Sequence, residues 1–336
     1  MIIVVKKGTN EEFLDNIKET LIANGMSFEV LQGSSYVLIP VAGDLTTSDM
    51  GRFKSLPGVE RIINISKPYC MVSRHYREKS VIDLGDGVSI GGDFTVMSGP
   101  CSVESADSLD KIAAFLSGMG VKILRGGTFK MRTSPYSFQG LGENGVKILN
   151  ETAKRYNMKS VSEIVDVRHI DLFEQYIDII QVGARNMMNF ALLKELGKCN
   201  KPILLKRSAN ATIDEFLSSA EYIMAEGNEN IILCERGITS FDDSTRSIVN
   251  IAAIPIIKGL THLPVILDPS HSVGNFKYVP VVSEAAVVLG ADGLIVETHY
   301  NPTNALSDGF QSLNFEHFES MFRKIIRLCE FKKENL

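Results

Sequence analysis

Apolar and polar positions follow two different rhythms along this chain, and the change comes near residue 80. Before it, Ile2–Val5 is a β-rich apolar run, and Glu11 to Ala23 carries Phe13, Ile17 and Leu21 at helical spacing. Ser27–Leu31 and Tyr36–Ala42 read as strands around the turn Gln32-Gly33-Ser34-Ser35. A short helix over Ser48–Leu56 is stopped by Pro57-Gly58, and Val59–Ile65 is again a strand. The order βαββαβ is that of a small ferredoxin-like module. It predicts a first domain over residues 1–66, of a kind that binds effectors or pairs with its own copies.

Residues 67–93 read as a linker to about Lys79, followed by a hairpin where Ile82–Asp93 alternates with glycines. From Phe94 onward, short apolar runs alternate with helical patterns, the rhythm of βα units on a parallel sheet. The predicted strands are Phe94–Ser98, Lys122–Arg125, Lys159–Ser162, Ile179–Val182, Pro202–Lys206, Ile231–Cys234, Pro264–Asp268 and Gly293–Glu297. Eight such units over 94–336 fit the length of a (β/α)8 TIM barrel. A doubly wound open sheet is the alternative. The barrel is favoured because no strand–GxGxxG–helix or GxxxxGK[ST] fingerprint is present. Polar clusters also close every strand run, rather than one or two of them.

Composition changes the picture mainly by exclusion. The 336 residues are 44% hydrophobic and 22% charged, ordinary usage for a soluble globular chain. A net charge of −5 supplies no electrostatic footprint for nucleic acid. No run reaches the ~18 apolar residues of a membrane span, and the apolar start is cut short by Lys6, too early for a signal peptide. Five scattered cysteines, an odd number, argue against a disulfide framework and for a reducing, cytoplasmic setting.

In a barrel, catalytic groups sit at the C-terminal strand ends. Read there, the chain offers six cations: Arg125, Lys130, Arg132, Arg185, Lys206 and Arg236. So many in one cleft would repel one another unless a polyanion sits among them, and arginine suits bidentate contacts to phosphate and carboxylate. Small phosphorylated carboxylates or sugars are the predicted substrates. The strand ends also offer Cys101, His271 and Glu297, with Asp308 in the last loop. This donor set suits Mn, Fe, Co or Zn better than Mg or Ca, but no sequence spacing links the four; only a closed barrel would. A lone Cys is otherwise a small core residue, the reading given to Cys70, Cys199, Cys234 and Cys329. Ser102, Ser270 and His271 lack the Gly-x-Ser-x-Gly elbow of a hydrolase. A Schiff-base Lys206, activated by neighbouring cations, is a better rival.

Six strings carry a resemblance. They are Ser98-Gly99-Pro100-Cys101-Ser102-Val103-Glu104, Arg125-Gly126-Gly127, the run from Arg132-Thr133-Ser134-Pro135 to Gly140, Gln181-Val182-Gly183-Ala184-Arg185-Asn186, Asp268-Pro269-Ser270-His271-Ser272, and Ala305-Leu306-Ser307-Asp308-Gly309. Together and in this order they resemble 3-deoxy-arabino-heptulosonate 7-phosphate (DAHP) synthases of type Iβ, some of which carry a ferredoxin-like regulatory domain.

The resemblance implies condensation of phosphoenolpyruvate with erythrose 4-phosphate, releasing phosphate, as the first step of the shikimate pathway and so of aromatic amino acid biosynthesis. It implies Cys101, His271, Glu297 and Asp308 as ligands of a divalent metal. Arg125, Lys130, Arg185, Lys206 and Arg236 would hold phosphoenolpyruvate, and Arg132, Thr133 and Ser134 the aldose phosphate. Lys130 is the expected proton donor. An aromatic amino acid effector at residues 1–66 and a homotetramer are further implications.

Three departures stand out: Met131 where the family usually has proline, Ser208 where glycine is usual, and Asn275-Phe276-Lys277-Tyr278 in place of a basic-then-acidic stretch. They bear on the aldose rather than on the reaction. A related synthase acting on another aldose phosphate, such as 3-deoxy-manno-octulosonate 8-phosphate synthase, is therefore the alternative. A barrel that only senses phosphorylated metabolites is the non-enzymatic one.

Overall fold

The structure, a computed structural model, describes residues 1–33, 36–42, 53–63, 67–132 and 134–335. The chain divides into two compact units, Met1–Cys70 and Met71–Leu336.

In the first unit, β1 (Ile2–Lys6) is flanked by later strands rather than by its sequence neighbours. With β2 (Ser27–Phe28), β3 (Leu31–Gln32), β4 (Tyr36–Ala42) and β5 (Val59–Ile63), the sheet runs β2-β4-β1-β5, with β3 also on β4. The pairs of β1 with β4 and β5 are antiparallel, as a ferredoxin-like module requires. The single strand expected over Ser27–Leu31 is interrupted, although both halves keep one register on β4. Its gap lies opposite Pro40, which accepts from Glu29 N at 3.2 Å but has no N–H to return.

The helix Glu11–Ala23 starts where the Asn10 side chain accepts from Glu12 N. It buries Ile17 and Leu21 against Ile3, Val5, Ile39 and Phe53. The helix expected over Ser48–Leu56 falls mostly outside the described residues, as do Ser34, Ser35 and the end of the expected strand Val59–Ile65.

The second unit begins with a hairpin, β6 (Ile82–Asp83) and β7 (Ser89–Ile90). Eight parallel strands follow: β8 (Thr95–Gly99), β9 (Ile123–Arg125), β10 (Lys159–Ile164), β11 (Ile179–Val182), β12 (Ile203–Lys206), β13 (Ile231–Glu235), β14 (Val265–Leu267) and β15 (Gly293–Glu297). They close into a barrel because β15 pairs with β8 from Gly293↔Thr95 to Glu297↔Gly99. Closure removes the open-sheet alternative.

Inside, Met97, Ile123, Val161, Ile179, Leu204, Ile232, Cys234, Ile266 and Ile295 pack as one cluster with Ile82, Val88 and Ile90 of the hairpin. The hairpin therefore closes one end of the barrel with apolar side chains. The stretch expected to be a linker is, from Met71 on, bound to the barrel. Met71 N and Val72 N donate to the Glu221 carboxylate at 2.8 and 3.0 Å, and Ser80 Oγ meets His262 Nδ1 at 2.8 Å. Polar side chains that satisfy buried backbone groups are local signals of order which a periodicity reading does not see.

Outer helices carry the caps that the sequence supplies. Ser105 caps Ala106–Gly118, and Thr212 with Glu215 forms a capping box on Ile213–Ala225. Among the described residues, no helix is long and apolar enough to cross a membrane.

Candidate active site at the barrel mouth

The site assembles where the barrel strands end. Cys101 follows β8, Glu297 ends β15, His271 lies in a short helix after β14, and Asp308 lies in the loop after β15. One ligand atom from each falls within 4.8 Å of all the others. Cys101 Sγ donates to Asp308 Oδ2 at 3.0 Å, and His271 Nε2 is 3.4 Å from Glu297 Oε1.

Local sequence sets each of these positions. Asp268 caps the helix Pro269–Val273 through Oδ1 on His271 N, with proline at the first helical position. Its other oxygen, Oδ2, meets His271 Nδ1 at 2.7 Å and also the Lys206 ammonium. A carboxylate on Nδ1 leaves Nε2 turned toward Glu297. Glu297 receives Gln311 Nε2 at 2.7 Å on Oε2 and Arg125 Nη2 at 3.2 Å on the Oε1 side, while its backbone N–H donates to Ser270 Oγ. Gly127 lets Lys130 reach Cys101: a Cβ there would meet Lys130 Cδ at 2.9 Å and Cys101 O at 2.7 Å. Lys130 Nζ thereby lies 3.0 Å from Cys101 Sγ.

The donor set fits a divalent metal on two observations. Glu297 Oε1 is buried and forms no hydrogen bond, with only the Arg125 guanidinium at 3.2 Å and His271 Nε2 at 3.4 Å beside it, an incomplete set of partners that a bound cation would complete. The four donors also mix thiol, imidazole and carboxylate, suited to a borderline transition metal. Burial, then the charge of Glu297, pushes the Cys101 thiol up to about 12, against the pull of Lys130. It is therefore a thiol at neutral pH, and a metal bound there would displace its proton. Burial pushes His271 down, toward the neutral imidazole a metal needs. Burial opposes the ionised form of Glu297, but His271, Arg125 and Lys130 hold its carboxyl below the usual range. For Lys130, burial works against the charge, and Cys101, Glu297 and Glu163 outweigh it.

Beside this corner opens a cleft of about 670 Å³, lined by five of the six predicted cations: Lys130, Arg132, Arg185, Lys206 and Arg236. Arg125 does not line it; it is buried against Glu297, with Nη1 lacking a partner. Ser134 lines the rim, and Thr133 lies outside the described residues. Arg185 donates to Met131 O at 2.6 Å, so Met131 ties the rim loop to a cleft cation. Lys206, bound to buried Asp268, is not the free amine that a Schiff-base enzyme requires. Arg207, its neighbour, turns away to Glu235.

Sequence reasoning missed three participants. Asp268 reads as the end of a strand, and nothing in the string shows its carboxylate joining His271 to Lys206. Gln311 lies in a loop without pattern. Arg246, another cation of the cleft, lies ten residues beyond Arg236 in the same loop, well past the end of the strand.

The model of the DAHP synthetase I family matches residues 76–330, and that of the DAHP synthase ferredoxin-like domain matches residues 1–67. Phospho-2-dehydro-3-deoxyheptonate aldolase of Thermotoga maritima is 47% identical over 332 residues, 98% of each chain. A 2-dehydro-3-deoxyphosphooctonate aldolase of Francisella tularensis is 30% identical over 264 residues, 72% of this chain and 95% of the relative. The crystal structure of the Thermotoga maritima DAHP synthase superposes with a TM-score of 0.79 at 46% identity, covering 98% of this chain and 97% of that one. The chain belongs to the DAHP synthetase I family.

Proposed function

We propose that the barrel mouth condenses phosphoenolpyruvate with erythrose 4-phosphate to DAHP and phosphate. The observation that carries this is the juxtaposition of a metal-ligand tetrad with a cleft rich in cations. Cys101, His271, Glu297 and Asp308 would hold the divalent ion. Such an ion supplies Lewis-acid polarisation of the aldehyde carbonyl.

The protein's own groups do the rest. Lys206 and Arg236 are buried at the floor, where loss of water strengthens their hold on an anion. With Lys130 and Arg185 they bind the phosphate and carboxylate of phosphoenolpyruvate, while Arg125, buried below the cleft with Nη1 unpartnered, adds positive charge from beneath. Arg132, Thr133 and Ser134, toward the rim, take the phosphate end of the aldose. This order would bring the methylene carbon of phosphoenolpyruvate to the aldehyde carbon it attacks, leaving positive charge on the neighbouring carbon that bears the phosphate. Lys130 stands between the tetrad and the cleft, and keeps a proton at Nζ for the oxygen that becomes the new hydroxyl, a transfer of the kind that contributes about 10²–10⁴-fold. Water then adds to the former enol carbon bearing the phosphate, and phosphate departs by C–O cleavage.

The test is phosphoenolpyruvate consumption with erythrose 4-phosphate before and after EDTA, and after Mn²⁺ is restored. Activity that dies with chelator and returns with metal is expected. Turnover of arabinose 5-phosphate well above erythrose 4-phosphate would reassign the aldose. Residues 1–66 serve as a regulatory domain for an aromatic amino acid, a reading supported by the ferredoxin-like match. Inhibition by aromatic amino acids that survives deletion of these residues would refute it. The enzyme works as a cytoplasmic homotetramer, which sedimentation of the purified chain tests.

A further inference from the structure

Glu104 plays no part in the tetrad or the cleft described above, yet it touches the framework behind both. We infer that Glu104 is a positioning residue for the metal site: one carboxylate that ties together the three chain segments bearing Cys101, Glu297 and Asp308. The inference rests on the metal site proposed above.

The first segment is Glu104's own, three residues after Cys101. The second is the last loop: Glu104 Oε1 accepts from Leu306 N at 2.7 Å, two residues before Asp308. From there toward the ligands, Ser102 Oγ and Ser307 Oγ are hydrogen-bonded to each other, and Cys101 Sγ reaches Asp308 Oδ2. The two segments thus run side by side, joined by three successive polar rungs.

The third segment leaves β15. His299, two residues after Glu297, is buried, and its Nδ1 accepts from Asn301 N at 3.1 Å. An imidazole accepting at Nδ1 carries its proton on Nε2 when neutral. That nitrogen forms no hydrogen bond among the described residues and lies 3.4 Å from Glu104 Oε2, an electrostatic contact.

Asp308 needs such support. Its backbone is left-handed (φ 46°, ψ 33°), one of three described non-glycine residues at positive φ. This conformation persists in a non-glycine residue only where surrounding contacts over-determine it. No cap hydrogen bond from the Asp308 side chain supplies that support. Its carbonyl accepts from Gln311 N at 3.2 Å and Ser312 Oγ at 3.3 Å, and the rungs to Ser102 and Glu104 brace the two residues before it, leaving the carboxylate to face Cys101 and His271.

Substitution at Glu104 should therefore loosen the tetrad without removing a ligand. The experiment uses the full-length chain stripped of metal and titrated with Co²⁺, reading the thiolate-to-cobalt charge-transfer band and the affinity. Glu104→Ala and Ser307→Ala are compared with Thr212→Ala, which breaks a helix cap far along the chain. Loss of outer contacts that orient metal ligands typically weakens metal binding 10–100-fold. Glu104→Ala is expected in that range with a shifted band, Ser307→Ala in the same direction but less, and Thr212→Ala unchanged despite a lower melting temperature.

Glu104→Gln covers the case where the alanine variant does not fold. Its amide keeps an acceptor for Leu306 N but turns N–H toward the His299 proton, so an intermediate loss is expected. Wild-type affinity and band in all the Glu104 and Ser307 variants would overturn the inference, and so would an equal loss in Thr212→Ala. A wild-type chain that binds Co²⁺ without any thiolate band would instead overturn the metal site itself.

Discussion

The two ends of the barrel are built from the same eight strands and share almost no chemistry. At one end the strand interiors are Ile, Leu, Val and Met, closed over by Ile82, Val88 and Ile90 of the hairpin. At the other, buried Arg125, Lys206, Glu235, Asp268 and Glu297 stand within a few residues of that apolar layer. One histidine at each end shows the difference. His262 is held between Met71 O at 2.8 Å and Ser80 Oγ, and fixes a segment of chain. His271 is held by Asp268 so that its free nitrogen faces a ligand corner. Burial lowers both, but only at the mouth is the lowered basicity turned to binding. One end contributes stability, and the other spends some of it on charges without full partners.

That division can be broken by substitution. The largest effect is expected at the tetrad: Cys101→Ala should lower phosphoenolpyruvate consumption by about 10³-fold or more, since Lewis-acid assistance contributes several kcal/mol. Steady-state assay with Mn²⁺ in excess checks it, and near-normal turnover would remove Cys101 from the site. At the opposite end, Ile232→Ala should destabilise the barrel by about 2–5 kcal/mol through a core cavity. A lower unfolding midpoint with kcat intact below the transition is the expected pattern; a matching fall in kcat would mean that the two ends are not separable.

Arg132→Ala should raise KM for erythrose 4-phosphate about 10–100-fold, the scale of losing a charge-assisted hydrogen bond, and leave KM for phosphoenolpyruvate unchanged. A reversed pattern would exchange the two anion subsites. The smallest effect concerns His262. Its folded-state pKa lies below the ordinary value of 6.5. The folded protein therefore binds fewer protons than the unfolded chain in that window, and the contribution is full above pH 6.5 and lost as pH falls below it. The melting temperature of His262→Gln should fall less steeply than wild type between pH 7 and 5.5. Parallel slopes would exclude His262 from the acid sensitivity.

Much of this arrangement was legible from the string of residues. Apolar periodicity determined eight strands in order, with ends matching the observed ones within one or two residues, and the β-rich first strand with its following helix. Polar clusters after each strand identified the chemistry at the mouth. The tertiary structure decided what no local pattern could. It split Ser27–Leu31 opposite Pro40, because the missing N–H belongs to a partner strand. It fastened Met71–Ser80 to the barrel through side chains distant in sequence, where the chain read as linker. It moved Arg125 below the cleft and brought Arg246 into it. Above all, residues 101, 271, 297 and 308 meet only because β15 closes onto β8. Strand and helix rhythms arise from contacts a few residues apart and are written locally, whereas a ligand cluster depends on distances across 200 residues that closure alone sets.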